Sequence, residues 1–344
     1  MTMNGTDGEI ILCMAASHTC ARFLEELANL GCRVVLLTID EHRDAPWPSD
    51  AISDLQSMPA GMTLQQITNT VTYLARSRKF ARIIALDNFN VPIAAALREH
   101  LRIPGMGVTT ACYFSDKLAA RLKAAHMGMT VPAFMSVANY DELRQFMETV
   151  PSPWLLTPRS ASCGPESRQL NETEQVWRAL DALGDDQSGF LLEQSIEGDR
   201  IHVDSLTADG TVVFSAVSPC RAAASEATES NELLPPAQNN GSKAEIERLR
   251  RANMALLSSM RMARGVTHTE FLRSNATAEF YFMETSASVD TRCVADMMKE
   301  THGLDLWKEW ARLEVTAMRG KRYTLPSFAR DRKALSAAVT PNID

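Results

Sequence analysis

The chain has 344 residues, 45% hydrophobic and 22% charged, with a formal net charge of −7. That is an ordinary globular mix with room for two or three folding units, and its acidic balance argues against a nucleic-acid partner, which needs a concentrated basic surface. No apolar run approaches the ~18 residues that span a bilayer, so no membrane partner is expected. The polar start MTMNGTDGE matches neither a secretory signal nor a transit peptide. Seven cysteines without a CxxC pair predict reduced, mostly buried thiols in a cytoplasmic protein. A zinc site on His18 and Cys20 would lack further ligands at a usable spacing.

Along the first hundred residues, strand-like runs at Glu9–Met14, Arg33–Thr38 and Arg82–Leu86 alternate with helical patterns. Phe23, Leu24, Leu27 and Leu30 share one helix face that Gly31 ends. Thr63–Ser77 and Val91–His100 supply further crossover helices. Repeated βαβ units imply a parallel sheet covered on both faces, a Rossmann-like domain. The turn after the first strand, Ala15 to Cys20, holds no glycine, which argues against a dinucleotide site.

Ile103-Pro104-Gly105-Met106-Gly107 marks a domain junction. The helix after it is expected to be capped by Ser115, to bury Leu118, Leu122 and Ala125, and to end at Gly128. Asn139 with Glu142, and Asn171 with Glu174, have the spacing of capping boxes, and Gly184 closes the second helix. Strands are predicted at Trp154–Thr157, Phe190–Glu193, Ile201–Leu206 and Thr211–Val217, the last two joined through Asp209-Gly210. A second hairpin is expected from Val266–Leu272 and Glu279–Glu284. Residues 218–242 are polar, contain Pro235-Pro236 and predict a long loop.

Four patterns carry chemistry: Phe114-Ser115-Asp116-Lys117 at a helix start; Leu155-Leu156-Thr157-Pro158-Arg159 running into Ser160–Glu166; Leu191 to Gly198; and the strand carboxylates Glu270 and Glu284. In order and spacing this set resembles the ATP-grasp superfamily, specifically its carboxylate–amine ligase branch, over residues 9–315. The resemblance implies an α/β plus α+β chain, in which a Rossmann-like pre-ATP-grasp domain is followed by a two-lobed ATP-grasp module. The boundaries implied are 1–108 for the first domain, 109–188 and 189–324 for the two lobes, and 325–344 for a C-terminal tail.

The same resemblance implies that ATP and Mg2+ are bound, with small-molecule carboxylate and amine substrates as partners; a homodimer or a partner protein stays open. Lys117 takes the place of a phosphate-contacting lysine. Glu193 and Ile196 fall at the adenine hinge, and Asp199 or Arg200 near the ribose, with Asp199 preferred. Glu270 and Glu284, with Ser286, fall at the metal positions. A pair of carboxylates on adjacent strands suits magnesium, which prefers hard oxygen ligands, and the two are expected to raise each other's pKa.

Departures cluster in the same places. Thr157 stands where the resemblance implies a phosphate-binding lysine, and it is expected to point into the cleft beside Lys117. Pro165 and Glu166 enter a loop that should offer backbone N–H groups to phosphate. Ser286 replaces an asparagine, Ser288 an arginine, and Asp290 a glycine. Arg159, Arg168 and Arg292 are the cations that could restore charge, and Arg159 and Arg292 join Lys117 as candidate catalytic residues. Two readings follow, an ATP-dependent ligase acting through an acyl phosphate, and a degenerate paralogue that binds nucleotide or a partner protein with little catalysis.

Overall fold

A computed structural model describes residues 8–160, 167–220, 242–289 and 292–326, without the side chains of 219–220 and 292–294. Its first unit is a parallel sheet of β1 (Ile10–Met14), β2 (Arg33–Ile39), β3 (Asp54–Met58) and β4 (Phe80–Ala85), in the order β3-β2-β1-β4. Helices α1 (Ala21–Asn29) and α2 (Leu64–Ala75) are its crossovers, whereas α3 (Asn90–Leu101), expected as another, follows the last strand of the sheet and leads out of it. Strands β1 and β2 are apolar on both sides, as a covered sheet requires. Leu12, Met14, Val35 and Leu37 face one core, while Ile11, Cys13, Val34 and Leu36 face another. The strand β3 is polar and half-buried along most of its length, which is why its sequence carries no strand signal.

The short helix α4 (Val108–Cys112) crosses to α5 (Lys117–His126). The small lobe adds β5 (Phe134–Ser136), α6 (Tyr140–Thr149), β6 (Trp154–Pro158), β7 (Arg168–Leu170), α7 (Thr173–Leu183) and β8 (Phe190–Gln194), with sheet order β5-β8-β6-β7. Strand β8 pairs with both β5 and β6, so it belongs to the same sheet as they do. Asn139 caps α6 as anticipated. The box on α7 lies one residue on from the expected pair, formed by Glu172 and Gln175.

The large sheet contains β9 (Gly198–Ala208), β10 (Thr211–Cys220), β11 (Gly265–Ser274) and β12 (Phe280–Ser286), in the order β10-β9-β11-β12. Asp209 and Gly210, with φ of 47° and 78°, make the two-residue β9–β10 turn. A side chain at Gly198 would collide with the Arg273 carbonyl, so β9 can start against β11 only with glycine there. Helix α8 (Lys243–Ser259) covers one face; Ser242 and Glu245 form its capping box, a start signal not read from the sequence. Helices α9 (Arg292–His302) and α10 (Leu306–Met318) close the chain. Most of the long polar stretch, 221–241, and the tail from 327 lie outside the described residues. No described helix is long and apolar enough to cross a membrane.

Helix α10 ties the large sheet to the first unit. Trp307 is 1% exposed, meets Phe23 of α1 edge-on, and stacks on Trp310 with ring centroids 5.9 Å apart. Cys13, Cys20 and Cys32 are buried as free thiols, and burial pushes Cys20 up to about 12. Trp307→Ala is expected to destabilise the protein by about 3–5 kcal/mol, the usual cost of emptying a large aromatic site. Urea unfolding of the two proteins measures it; a loss below about 1 kcal/mol would mean that α10 does not fasten the units together.

Candidate active site

Asp116, not Ser115, caps α5, because its carboxylate accepts from Leu118 N and Ala119 N. The same carboxylate pairs with Arg159 through Nε at 3.2 Å and Nη2 at 2.5 Å. Lys117 N donates to Arg159 O at 2.8 Å. Arg159 therefore anchors the end of β6 to the start of α5. Lys117 then reaches across the cleft, its ammonium 2.6 Å from Glu284 of β12.

The buried stripe of α5 is Ala120, Arg121 and Ala124, while Leu122 is 46% exposed. The expected stripe of Leu118, Leu122 and Ala125 is displaced because the helix turns an arginine inward. Arg121, 2% exposed, pairs with Glu193 of β8, and its Nε donates to Met283 O at 2.9 Å. That carbonyl is available because β12 has a bulge. Glu270 is opposite Glu284 and Phe271 is opposite Phe282, leaving Met283 between them.

Thr157, 2% exposed, donates its hydroxyl to the other Glu193 oxygen at 2.7 Å. Thr157 is therefore the third member of a buried network. A lysine in its place would sit beside Glu193 and Arg121, not as an unopposed phosphate contact. Glu193 is likewise sealed in this network, and Gln194–Glu197 leads from β8 into β9 as the segment where the resemblance implies the hinge. Ser195 N is bonded to Pro153 O of the small lobe, and Asn275 N to Glu197 O of the hinge. Ile196 is half-buried within that segment.

On the large sheet, strand alternation selects which side chains meet. Register pairs His202 with Glu270, Asp204 with His268, Glu270 with Glu284, and His268 with Ser286. These residues share one face with Arg200. Asp199 is exposed, lies on the other face, and is opposite Arg273, which pairs with α8 through Glu245. Its neighbour Arg200 lies on the cleft face and holds Glu270 Oε2 at 2.9 Å. Ser286 accepts a hydrogen bond from Ser288, which is 4% exposed. The side chain of Arg292, and Pro165, Glu166 and Asp290, lie outside the described residues.

Burial raises the Glu284 carboxyl, but Lys117, with Arg121 and His268, together outweigh it and hold the group below its ordinary value. The mutual rise expected from two facing carboxylates does not appear at Glu284, where this positive charge prevails. A separate cavity of 390 Å³ lies between β4 and α10, lined by Arg82, Arg98, Arg264 and Glu314; none of the candidate residues above lines it.

No family model matches the chain. It is 24% identical over 246 residues to the L-arginine-specific L-amino acid ligase of Bacillus subtilis, covering 69% of this chain and 58% of that protein. The chain therefore spans little more than half the length of this curated relative. Among solved structures it is similar to L-amino acid ligase from Bacillus licheniformis, with TM-score 0.70 and 16% identity over 92% of this chain and 75% of that one. The biotin carboxylase domain of Hydrogenobacter thermophilus 2-oxoglutarate carboxylase, solved as a dimer with MgADP and bicarbonate, also gives TM-score 0.70 and 16% identity, covering 92% and 71%. The chain has the ATP-grasp fold: a parallel-sheet domain, a small lobe and a large antiparallel sheet flanking one cleft.

Sequence reasoning missed Arg121, His202, Asp204 and His268. A four-residue step from Lys117 along α5 would have found Arg121, two-residue steps along β9 from Arg200 would have found His202 and Asp204, and the same step along β11 from Glu270 would have found His268. Arg121→Met should cost about 3–5 kcal/mol in urea unfolding, because Glu193 would be left charged and buried. Arg121→Met combined with Glu193→Gln should recover much of that loss; no recovery would mean the pair is not the source. Glu284, with its lowered pKa, stabilises the fold above pH 4.5, an effect lost as pH falls through its folded value. Lys117→Met should therefore destabilise more at pH 7 than near pH 3.5, as thermal melts across that range will record. A pH-independent loss would exclude the Lys117–Glu284 pair as the cause.

Proposed function

We propose that this chain is an ATP-dependent, magnesium-dependent ligase that activates a carboxylate as its acyl phosphate and joins it to an amine. The observation that carries this reading is the convergence of Lys117, Glu284 and Glu270 from α5, β12 and β11 on one cleft. The donor set fits Mg2+: two carboxylates and the Ser286 hydroxyl on one strand face are hard oxygens, and phosphate oxygens would complete the shell. When bound, magnesium would neutralise phosphate charge and supply electrophilic activation of the γ-phosphoryl group.

The residues divide the remaining work. Lys117 is held at the cleft by Glu284 and can exchange that contact for a phosphate oxygen, since an ammonium has three donors. Arg121 and Glu193 keep α5 and β8 at fixed separation, so the lysine is aimed before nucleotide arrives. The hinge Gln194–Glu197 offers backbone groups to the adenine, with Ile196 supplying apolar surface. Arg159 stabilises the cap of α5. The likeness to L-amino acid ligases supports α-amino acids as both carboxylate and amine.

The second reading, a nucleotide-binding paralogue with little turnover, is favoured by two observations. Thr157 and Ser288 are both buried and neither presents charge to the cleft. One assay separates the readings: ADP release measured with ATP, magnesium and pairs of L-amino acids, beside calorimetric ATP titration. A ligase will release ADP only when acid and amine are both present, and Glu284→Gln will lower that rate at least about 100-fold. ATP binding without ADP release would support the paralogue. Absence of binding at millimolar ATP would sink both.

A further inference from the structure

The geometry points to a second kind of cation site on the same sheet face, where His202, His268 and Glu270 bind a borderline transition metal such as Zn2+ or Co2+ without nucleotide. The observation is a convergence of ligand atoms. His202 Nε2 lies 3.9 Å from Glu270 Oε1, and His268 Nε2 lies 4.0 Å from the same oxygen. One ligand atom from each residue falls within 4.8 Å of the other two. The two rings meet edge to face with centroids 4.4 Å apart.

The surroundings have the form that metal sites use. Asp204, 2% exposed, holds His268 Nδ1 at 2.7 Å. A carboxylate on one ring nitrogen sets the tautomer and turns the other nitrogen's lone pair toward the ligand. Arg200 holds Glu270 through Oε2, so Oε1 is the oxygen left facing the two rings. All four side chains project from β9 and β11 at directly paired positions, and sites built on strands are placed more accurately than sites on loops. A tetrahedral zinc needs ligand atoms about 3.3–3.5 Å apart, so Glu270 must close by about half an ångström on each ring.

Ligand chemistry separates this site from magnesium binding. Imidazole nitrogens select zinc, cobalt, nickel or copper, whereas magnesium takes oxygens. Three protein ligands leave a further position open to water or substrate. Glu270 is shared with the proposed magnesium site, so the test is made without nucleotide, where failure of the ligase reading has no bearing on it.

Tag-free protein is titrated with Co2+ alone and followed by visible d–d absorption. Saturable binding is expected, weakened about 10–100-fold in Asp204→Asn and at least as much in His202→Ala. Glu284→Gln should change it by less than about threefold, because that carboxylate belongs to the oxygen site. On the unaltered chain, cobalt should broaden the ring resonances of His202 and His268 before those of the other five histidines among the seven present. That measurement does not depend on the variants folding. The proposal is overturned if no saturable cobalt signal appears, if other histidines broaden first, or if Glu284→Gln loses cobalt while a folded His202→Ala retains it.

Discussion

Everything about the cleft depends on one buried ion pair, Arg121 with Glu193. It joins the helix that carries Lys117 to the strand that leads into the hinge, and through Met283 O it also holds β12, which carries Glu284. A buried pair of this kind is weak as a source of net stability, since both ions lose water. Its value lies in geometry. With Thr157 on one Glu193 oxygen and Arg121 on the other, the carboxylate leaves α5, β6 and β8 little freedom to slide.

That constraint changes the meaning of the missing lysine at 157. The resemblance implied a cation on β6, and its loss suggested a cleft short of positive charge. The structure places a guanidinium near that carboxylate, delivered from α5. Whether the substitution of one cation by another preserves phosphate binding depends on where the charge points. Arg121 is turned to Glu193 and the Met283 carbonyl, and among the described residues Lys117 pairs with Glu284 and Arg200 with Glu270. The same fold is kept while its positive charge is redistributed.

The large sheet works by a simpler rule. Alternation sends Arg200, His202 and Asp204 to one face of β9 and Asp199 to the other, and antiparallel register sets them against His268, Glu270 and Glu284. The opposite face is closed by α8, where Thr269 and Thr285 share a hydrogen bond and Asn253 reaches Ser205. One face is therefore committed to packing, and ionisable groups gather on the other at the cleft.

Local signals determined much of this protein. The βαβ alternation, the Asp209-Gly210 turn, the β11–β12 hairpin and the order of the four patterns were legible because strand period, turn chemistry and caps act over a few residues. Glu270 and Glu284 were legible as a pair because their strands are joined by a short hairpin. Only tertiary structure decided the rest. Asp116 displaced Ser115 as cap because Arg159, 43 residues away, braces its carboxylate. Arg121 turned inward because Glu193, 72 residues away, was waiting for it. Asp199 and Arg200 are adjacent, so choosing between them needed the register of β9 on β11. Burial of a charge is set by its partner, and partners that far apart in the chain meet only when the sheets and helices have packed.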